Sequence, residues 1–247
     1  MNSTFKRAAG FSLVELLLVS VIFTIITGAV FSLLLNSQLR YQNESSLTEA
    51  FQQANVAMDQ ITRDVHSAGY PPASSFSFGA SCANNADKIA LPFAWTPNYF
   101  TAWPCNTPRN PAMPCIVGAG CTIPGDYDLI LEADLGDGHG VQWIRYSLSG
   151  TTLMRGAVQK VVSADPVSST DSALVPYLDG VLNGTKSQAI FSYKADTNIP
   201  PSANYGPADI REVNISLIVQ ASKPDPQTGQ FRTISLTGQA IRLNPNQ

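Results

Sequence analysis

The sequence predicts an α+β fold in which one long N-terminal helix packs on an antiparallel β-sheet. All 17 prolines lie between Pro71 and Pro245, so no proline interrupts a helix over residues 1–70. An apolar repeat at helical spacing ends just before Gly69. Beyond residue 88, short apolar segments alternate with turn sequences, which is typical of antiparallel strands.

The composition excludes several classes of protein. Of the 247 residues, 13% are charged, against about 25% in an ordinary soluble domain. The formal net charge is -3, and no basic region that would bind nucleic acid is evident. The chain is therefore neither a basic nucleic-acid-binding protein nor a disordered acidic tail, and it is long enough to bury a core.

The first half of the predicted helix has the composition of a membrane anchor. Residues 11–35 are mostly apolar, and Glu15 is the only charged residue between Arg7 and Arg40. A run of about 20 apolar residues crosses the hydrocarbon core of a bilayer, so we predict one transmembrane segment here. A carboxylate inside such a segment is costly and by default indicates a function. The alternative is that Glu15 reaches the lipid headgroups and has no specific role.

The second half of the helix carries an apolar stripe at spacings of three and four residues, which places its members on one helix face. We expect this stripe to form the core against a downstream sheet, although a short coiled coil with another helix would show the same pattern. The helix should end at Gly69, before Tyr70-Pro71. The members of the stripe are Leu47, Phe51, Ala54, Met58, Ile61, Val65 and Ala68.

A short basic leader, residues 1–10, precedes the anchor and ends in Gly10. The segment that follows, Gly10-Phe11-Ser12-Leu13-Val14-Glu15-Leu16, resembles the class III signal of type IV pilins and type II secretion pseudopilins. The resemblance implies that prepilin peptidase cuts between Gly10 and Phe11 and that Phe11 is then N-methylated. It also implies a pilin fold, with residues 11–70 as the helix and residues 71–247 as a β-rich body.

The same resemblance gives Glu15 a partner, namely the Phe11 amine of a neighbouring subunit. Such a pair would set the axial register of the subunits in a filament. The physical reason is that two charges buried in an apolar environment offset much of each other's desolvation cost when they pair.

In the body, eight segments are predicted as strands. One of them, the segment 211–221, alternates apolar and polar side chains apart from Ile218, as a half-buried strand does. The turn at residues 224–229 should join it to the last strand, in which the apolar phase slips near Gly238 and predicts a β-bulge. The predicted strands are 88–91, 127–133, 141–148, 151–155, 158–163, 189–195, 211–221 and 231–243.

Four cysteines, Cys82, Cys105, Cys115 and Cys121, lie in a proline-rich part of the body. In an exported protein an even number of cysteines indicates disulfides, and we favour the local pairs Cys82–Cys105 and Cys115–Cys121 among three possible pairings. These bonds would staple a loop region. A zinc site is the alternative, but no Cys-x-x-Cys pair is present.

An acidic, glycine-rich segment surrounds residues 135–140. Asp134 and Asp137 could supply oxygen ligands to calcium, although the spacing does not fit an EF-hand loop. A glycine-rich hairpin turn explains the same residues without a metal. We therefore predict the turn and keep calcium as a hypothesis.

Nothing in the sequence indicates catalysis. The chain lacks a Gly-x-Ser-x-Gly elbow, a phosphate-binding glycine loop and a His-Glu-x-x-His motif. It has two histidines, of which His66 falls in the predicted helix and only His139 could serve a Ser-His-Asp arrangement. We predict that the protein is not an enzyme and needs no cofactor.

Within the pilin-like proteins, the helix end at residues 61–70 resembles PilW-like minor pilins and J-type minor pseudopilins. The strand 127–133 and the segment 146–155 carry the same resemblance. It implies a minor pilin that helps to initiate assembly of a type IV pilus and sits at its tip. The alternatives are a minor pseudopilin of a type II secretion system and, from another class, a signal-anchored periplasmic enzyme.

The implied partners are other minor pilins, the major pilin, the prepilin peptidase with its methyltransferase activity, and the assembly platform of the inner membrane. Before assembly the chain would cross the inner membrane once, with its body in the periplasm. After assembly it would lie in the pilus at the cell surface.

Overall fold

A computed structural model describes residues 12–76, 85–95, 115–196 and 205–244. Its dominant element is helix α1, Leu13–Ser67, which runs unbroken through the predicted anchor and the predicted stripe. The helix ends where Gly69 adopts a left-handed φ of 81° and donates its N–H to the carbonyl of Glu132 at 2.8 Å. The predicted helix and its glycine stop are therefore confirmed.

The body contains seven described strands in two antiparallel sheets. Sheet 1 has the order β1-β2-β3-β4 and sheet 2 the order β5-β6-β7. An isolated bridge between Val181 and Val219 connects the end of sheet 1 to the middle of β6. The bounds are β1 Asp128–Asp134, β2 Val141–Ser149, β3 Thr152–Gln159, β4 Val175–Leu178, β5 Phe191–Ala195, β6 Ile210–Pro224 and β7 Phe231–Ile241, with a short helix α2, Pro166–Asp171, between β3 and β4.

The C-terminal half of α1 covers the sheets, as the stripe predicted. Ala54, Ile61 and Val65 have no exposed surface and join the main core with residues from both sheets. Towards its N-terminal end the buried line differs from the prediction, because Phe51 is 47% exposed and Leu47 is only partly buried. Ser46 and Ala50 take the inner positions instead.

The physical reason for this shift is the close approach of the helix to β6. The Ser46 hydroxyl lies 2.9 Å from the Ser222 hydroxyl and accepts the backbone N–H of Lys223 at 3.1 Å. Small side chains permit such an approach, whereas a phenylalanine in the same place would hold the two elements apart.

Helix α1 and β7 run side by side in the same direction. Arg232 at the start of β7 pairs with Glu44 at 2.7 Å, and beyond its end the N–H of Leu243 donates to the carbonyl of His66 at 3.3 Å. Twenty-two helical residues span about 33 Å and eleven strand residues about 36 Å, so the two elements cover similar distances between these two contacts.

The β-bulge predicted near Gly238 is wrong. β6 and β7 stay in register from Glu212↔Ile241 to Gln220↔Thr233, and the register shift lies between Gln220 and Pro224. Gly238 has a packing reason, since a Cβ at that position would lie 2.8 Å from the Sδ of Met58. The inward positions of β7 therefore carry small residues where α1 presses on them, which looks like a phase slip in sequence.

Three other element predictions differ from the structure. Residues 88–91 form no strand, and that region has a single bridge, Phe93↔Leu131. In place of the predicted strands 151–155 and 158–163 there is one strand, β3, which passes through Gly156 and ends at Gln159, so residues 160–163 lie outside it. β4 and α2 were not predicted, although α2 begins at an ordinary capping signal, with Asp165 accepting the N–H groups of Val167 and Ser168.

The cysteine prediction is resolved for one pair. Cys115 and Cys121 form a disulfide with their Cα atoms 5.1 Å apart. Cys82 and Cys105 lie outside the described residues. The favoured local pairing is thus confirmed for Cys115–Cys121 and stays a prediction for the other two.

Candidate functional site: the apolar helix and the contacts that hold it

The N-terminal end of α1 places Glu15 in the first helical turn, where its carboxylate accepts the backbone N–H of Ser12 at 3.2 Å. A negative charge in the first turn also interacts favourably with the helix dipole. Glu15 is exposed. Gly10 and Phe11 lie outside the described residues, so cleavage between them and methylation of Phe11 stay predictions.

The first half of α1 touches no other part of the described structure. Every side chain from Leu13 to Tyr41 is exposed, although most of them are large and apolar. Within the described residues, α1 is the helix long and apolar enough to cross a membrane. An apolar surface of this extent needs a lipid or protein environment.

Three polar side chains within this apolar half are satisfied by the helix itself. The hydroxyls of Ser20, Thr24 and Thr27 each donate to a carbonyl three or four residues earlier, at 2.8 Å. They therefore require no partner in an apolar environment. Glu15 is the only charged residue from Leu13 to Leu39, and the free energy of its carboxylate depends on what surrounds the helix.

Near the opposite end, α1 is fastened to sheet 1 through the buried carboxylate of Asp64. This carboxylate accepts hydrogen bonds from Arg155 on β3 at 2.9 Å and from the hydroxyl of Tyr146 on β2 at 2.5 Å. Gln60, one turn earlier, donates to the second carboxylate oxygen at 2.7 Å. Asp64 is only 2% exposed, so the group is a buried ion pair with each oxygen satisfied.

The electrostatics of this cluster keep each proton in place. Burial, followed by the neighbouring Asp64 carboxylate, raises the pKa of Tyr146 well above its ordinary value. The tyrosine therefore remains protonated and donates to Asp64. Burial opposes the charge of Arg155, but the Asp64 carboxylate and the Tyr146 hydroxyl, which both accept hydrogen bonds from its guanidinium, raise its pKa, so Arg155 also stays charged.

A second buried ion pair lies just beyond the helix end. The Lys160 ammonium donates to the Glu132 carboxylate at 2.8 Å, and the two side chains are 1% and 0% exposed. The indole N–H of Trp143 donates to the other carboxylate oxygen at 2.6 Å, and the Leu91 N–H donates to the first at 2.8 Å. Because the Glu132 carbonyl also accepts the Gly69 N–H, this residue orients the point where the chain leaves α1.

The glycine-rich segment between β1 and β2 is a hairpin turn, as predicted. The carboxylate of Asp134 accepts the Gly136 N–H at 2.8 Å, and that of Asp137 accepts the His139 N–H at 3.0 Å. The backbone N–H of His139, with the side chain of Gln142, lowers the pKa of Asp137. Over the described ranges, no three side chains of the metal-binding types come together, and the proposed calcium ligands serve as turn acceptors.

Sequence reasoning missed the buried charged residues Asp64, Glu132 and Lys160. Asp64 could have been noticed because it lies one residue before Val65 on the predicted stripe and therefore near the buried face. Glu132 and Lys160 carried no such signal, since they pair with each other across 28 residues of sequence. Glu15 and the cysteine pair were predicted at positions that the structure describes.

Residues 5–31 match the family described as the prokaryotic N-terminal methylation motif. This motif is the class III signal of type IV pilins and pseudopilins, and it begins the long apolar helix. The segment thus has the signal of a pilin-like or pseudopilin protein, a structural and not an enzymatic class. No curated protein and no solved structure matches the chain.

Proposed function

We propose that this chain is a pilin-like subunit. Prepilin peptidase cleaves it after Gly10, and α1 then packs into a filament. The observation that carries the proposal is the combination of the methylation motif with a helix whose first half is entirely exposed and apolar. Such a helix is stable in a membrane before assembly and in a bundle of similar helices afterwards.

Within that class we propose a PilW-like minor pilin that helps to initiate the pilus and lies at its tip. The support is the resemblance of the helix end and of the segment 146–155, where Arg155 binds the helix through Asp64. A body with two sheets is also bulky for the repeating subunit of a thin fibre. Its partners would then be other minor pilins, the major pilin and the inner-membrane assembly platform.

In this proposal the chain first crosses the inner membrane once, with the body in the periplasm, and later reaches the cell surface in the pilus. A minor pseudopilin of a type II secretion system would use the same signal and the same helix. Deleting the protein distinguishes them: loss of pili with normal enzyme export supports the pilin, and loss of export with intact pili supports the pseudopilin.

The mass of the native N-terminus tests the proposed class directly. We expect the protein isolated from its host to begin with N-methylated Phe11, because the leader up to Gly10 is removed. Intact-mass spectrometry followed by N-terminal peptide sequencing makes this measurement. A chain that keeps Met1 and the leader would contradict the proposal and favour a signal-anchored periplasmic enzyme.

Substituting Glu15 tests how the helix is positioned in the assembly. We expect Glu15→Ala to be cleaved and methylated normally but to be lost from filaments, since the Phe11 amine of the neighbouring subunit would lack its buried counter-charge. The readout is the amount of protein in sheared filaments relative to the membrane. Glu49→Ala, an exposed glutamate on the same helix, is the matched control; equal incorporation of the two variants would argue against the pairing.

A further inference from the structure

The outer edge of β7 is an open hydrogen-bonding edge. β7 is the last strand of sheet 2, and β6 pairs with only one of its sides. In the described ranges, no backbone hydrogen bond from another segment reaches its other side. Alternate residues of an antiparallel strand direct their N–H and C=O groups away from the partner strand, so β7 offers a row of such groups over eleven residues.

From Thr233 to Ile241 this edge lacks the features that usually protect an edge strand. Natural sheets block their edges with charged side chains, prolines or bulges. Residues 233–241 contain no charged residue and no proline, and their pairing with β6 is regular throughout. A long, regularly paired and uncharged edge is prone to pair with another strand, so an isolated subunit would leave it at risk of aggregation.

An exposed aromatic side chain lies beside the same edge. Phe51 is seven residues, or almost two helical turns, before Met58, so both lie on the same side of α1. Met58 packs against Gly238 of β7, and Phe51 is about 10 Å lower along the helix. Because β7 runs alongside α1, this places Phe51 level with Ile234 and Leu236, which are themselves only partly buried.

We propose that an extended segment of a neighbouring helix-anchored subunit adds to β7 as a further strand and covers Phe51. The inference rests on the proposed function, because it is the assembly of α1 with other pilin-type helices that brings a neighbour to this edge. The edge lies near that assembly surface, since Phe51 is on the same helix, about 15 Å beyond the exposed first half that ends at Tyr41.

Symmetry determines which strand of the neighbour can bind. Helices anchored in one membrane point the same way, and β7 runs parallel to α1, so two β7 strands cannot meet in antiparallel orientation. Two parallel β7 strands related by a two-fold axis would place N–H groups opposite N–H groups and form no ladder. The added strand therefore comes from a different part of the neighbour than its β7.

Site-specific photo-cross-linking in the native host tests the proposal. Benzoylphenylalanine replaces Thr237 on the β7 edge or Phe51 on the helix, and the full chain is produced at its native level. The control position is Val161, which is 57% exposed and follows β3 on the other sheet. We expect both test positions, but not Val161, to give an adduct with a protein whose precursor carries a class III signal.

Four results would overturn the inference: no adduct at Thr237, equal adducts at Val161, a partner without that signal, or an adduct that joins β7 to β7. A second experiment blocks the edge with charge, using Ser235→Lys and Thr237→Lys, and compares them with Val161→Lys. We expect loss of the two β7 variants from filaments at unchanged membrane levels. Normal incorporation of both would contradict the proposal.

The N-terminus of the same samples separates the two hypotheses. If Phe11 is methylated while the adduct is missing, the pilin assignment stands and the edge proposal fails. If the leader is still present, the pilin assignment itself fails.

Discussion

We expect the Glu132→Gln variant to lose about 3–5 kcal/mol of unfolding free energy. The substitution keeps the size of the side chain but removes the carboxylate charge that pairs with the Lys160 ammonium in a site that is 1% exposed. The new amide also directs N–H groups at the donors of Trp143 or Leu91, which bind the carboxylate in the native protein. Urea unfolding of the mature chain in detergent, followed by circular dichroism of the sheets, measures the loss.

Two controls isolate the buried charge as the cause. Glu44→Gln removes an exposed ion pair with Arg232 and should cost at most about 1 kcal/mol. Adding Lys160→Met to Glu132→Gln removes the ammonium as well as the carboxylate. The double variant should therefore lose less unfolding free energy than the sum of the two single losses. A strictly additive double variant would show that the pair is not coupled.

The second large effect is expected at Asp64. Asp64→Ala leaves the Tyr146 hydroxyl buried without an acceptor and removes the counter-charge of Arg155. Since the Arg155 side chain is about one-quarter exposed, water can solvate it in part, and we expect a loss of about 3 kcal/mol. Because this cluster joins α1 to sheet 1, amide hydrogen exchange should rise first in residues 57–67 at the end of the helix.

Asp59→Ala is the control for Asp64, since Asp59 is exposed on the same stretch of helix. It should change the unfolding free energy by no more than about 0.5 kcal/mol. If both aspartates gave the same small change, the cluster would not be what holds the helix to sheet 1.

The elements that sequence predicted well are those with a long repeating pattern. The absence of proline, the spacing from Ala54 to Ala68 and the stop at Gly69 each describe α1 independently, and the structure agrees with all three. The β6–β7 hairpin was equally clear, because its strands are long and its turn contains both proline and glycine.

The elements that sequence predicted badly depend on contacts between distant residues. β4 has four residues, of which the first two are exposed and the last is buried, so it carries no alternation that could reveal it. The predicted strands 151–155 and 158–163 left a gap at Gly156, but β3 continues through it; a Cβ at Gly156 would lie 2.9 Å from the Ala173 carbonyl oxygen, so the glycine permits the close approach of another segment. Gly238 was misinterpreted for the same reason, since its neighbour Met58 is on another element.

The residues of the candidate site differ in the same way: some belong to a local sequence pattern, and others depend on contacts between distant residues. The signal around Gly10, Phe11 and Glu15 is local, and a local pattern is sufficient to recognise it. The buried pairs that hold the helix are not local, since Asp64 and Arg155 are 91 residues apart. An isolated charged residue in sequence is usually on the surface, and only the fold shows which ones are inside.

The position of β7 also determines when this protein can finish folding. The ribosome synthesises α1 first and β7 last. The helix face that includes Ser46, Met58 and His66 therefore stays uncovered until residues 222–243 have been made. Contacts that close over so many residues form slowly. The newly made chain therefore exposes two apolar surfaces at once, the anchor and the uncovered stripe. The C-terminal β6–β7 hairpin is made last, and its packing on α1 covers the stripe.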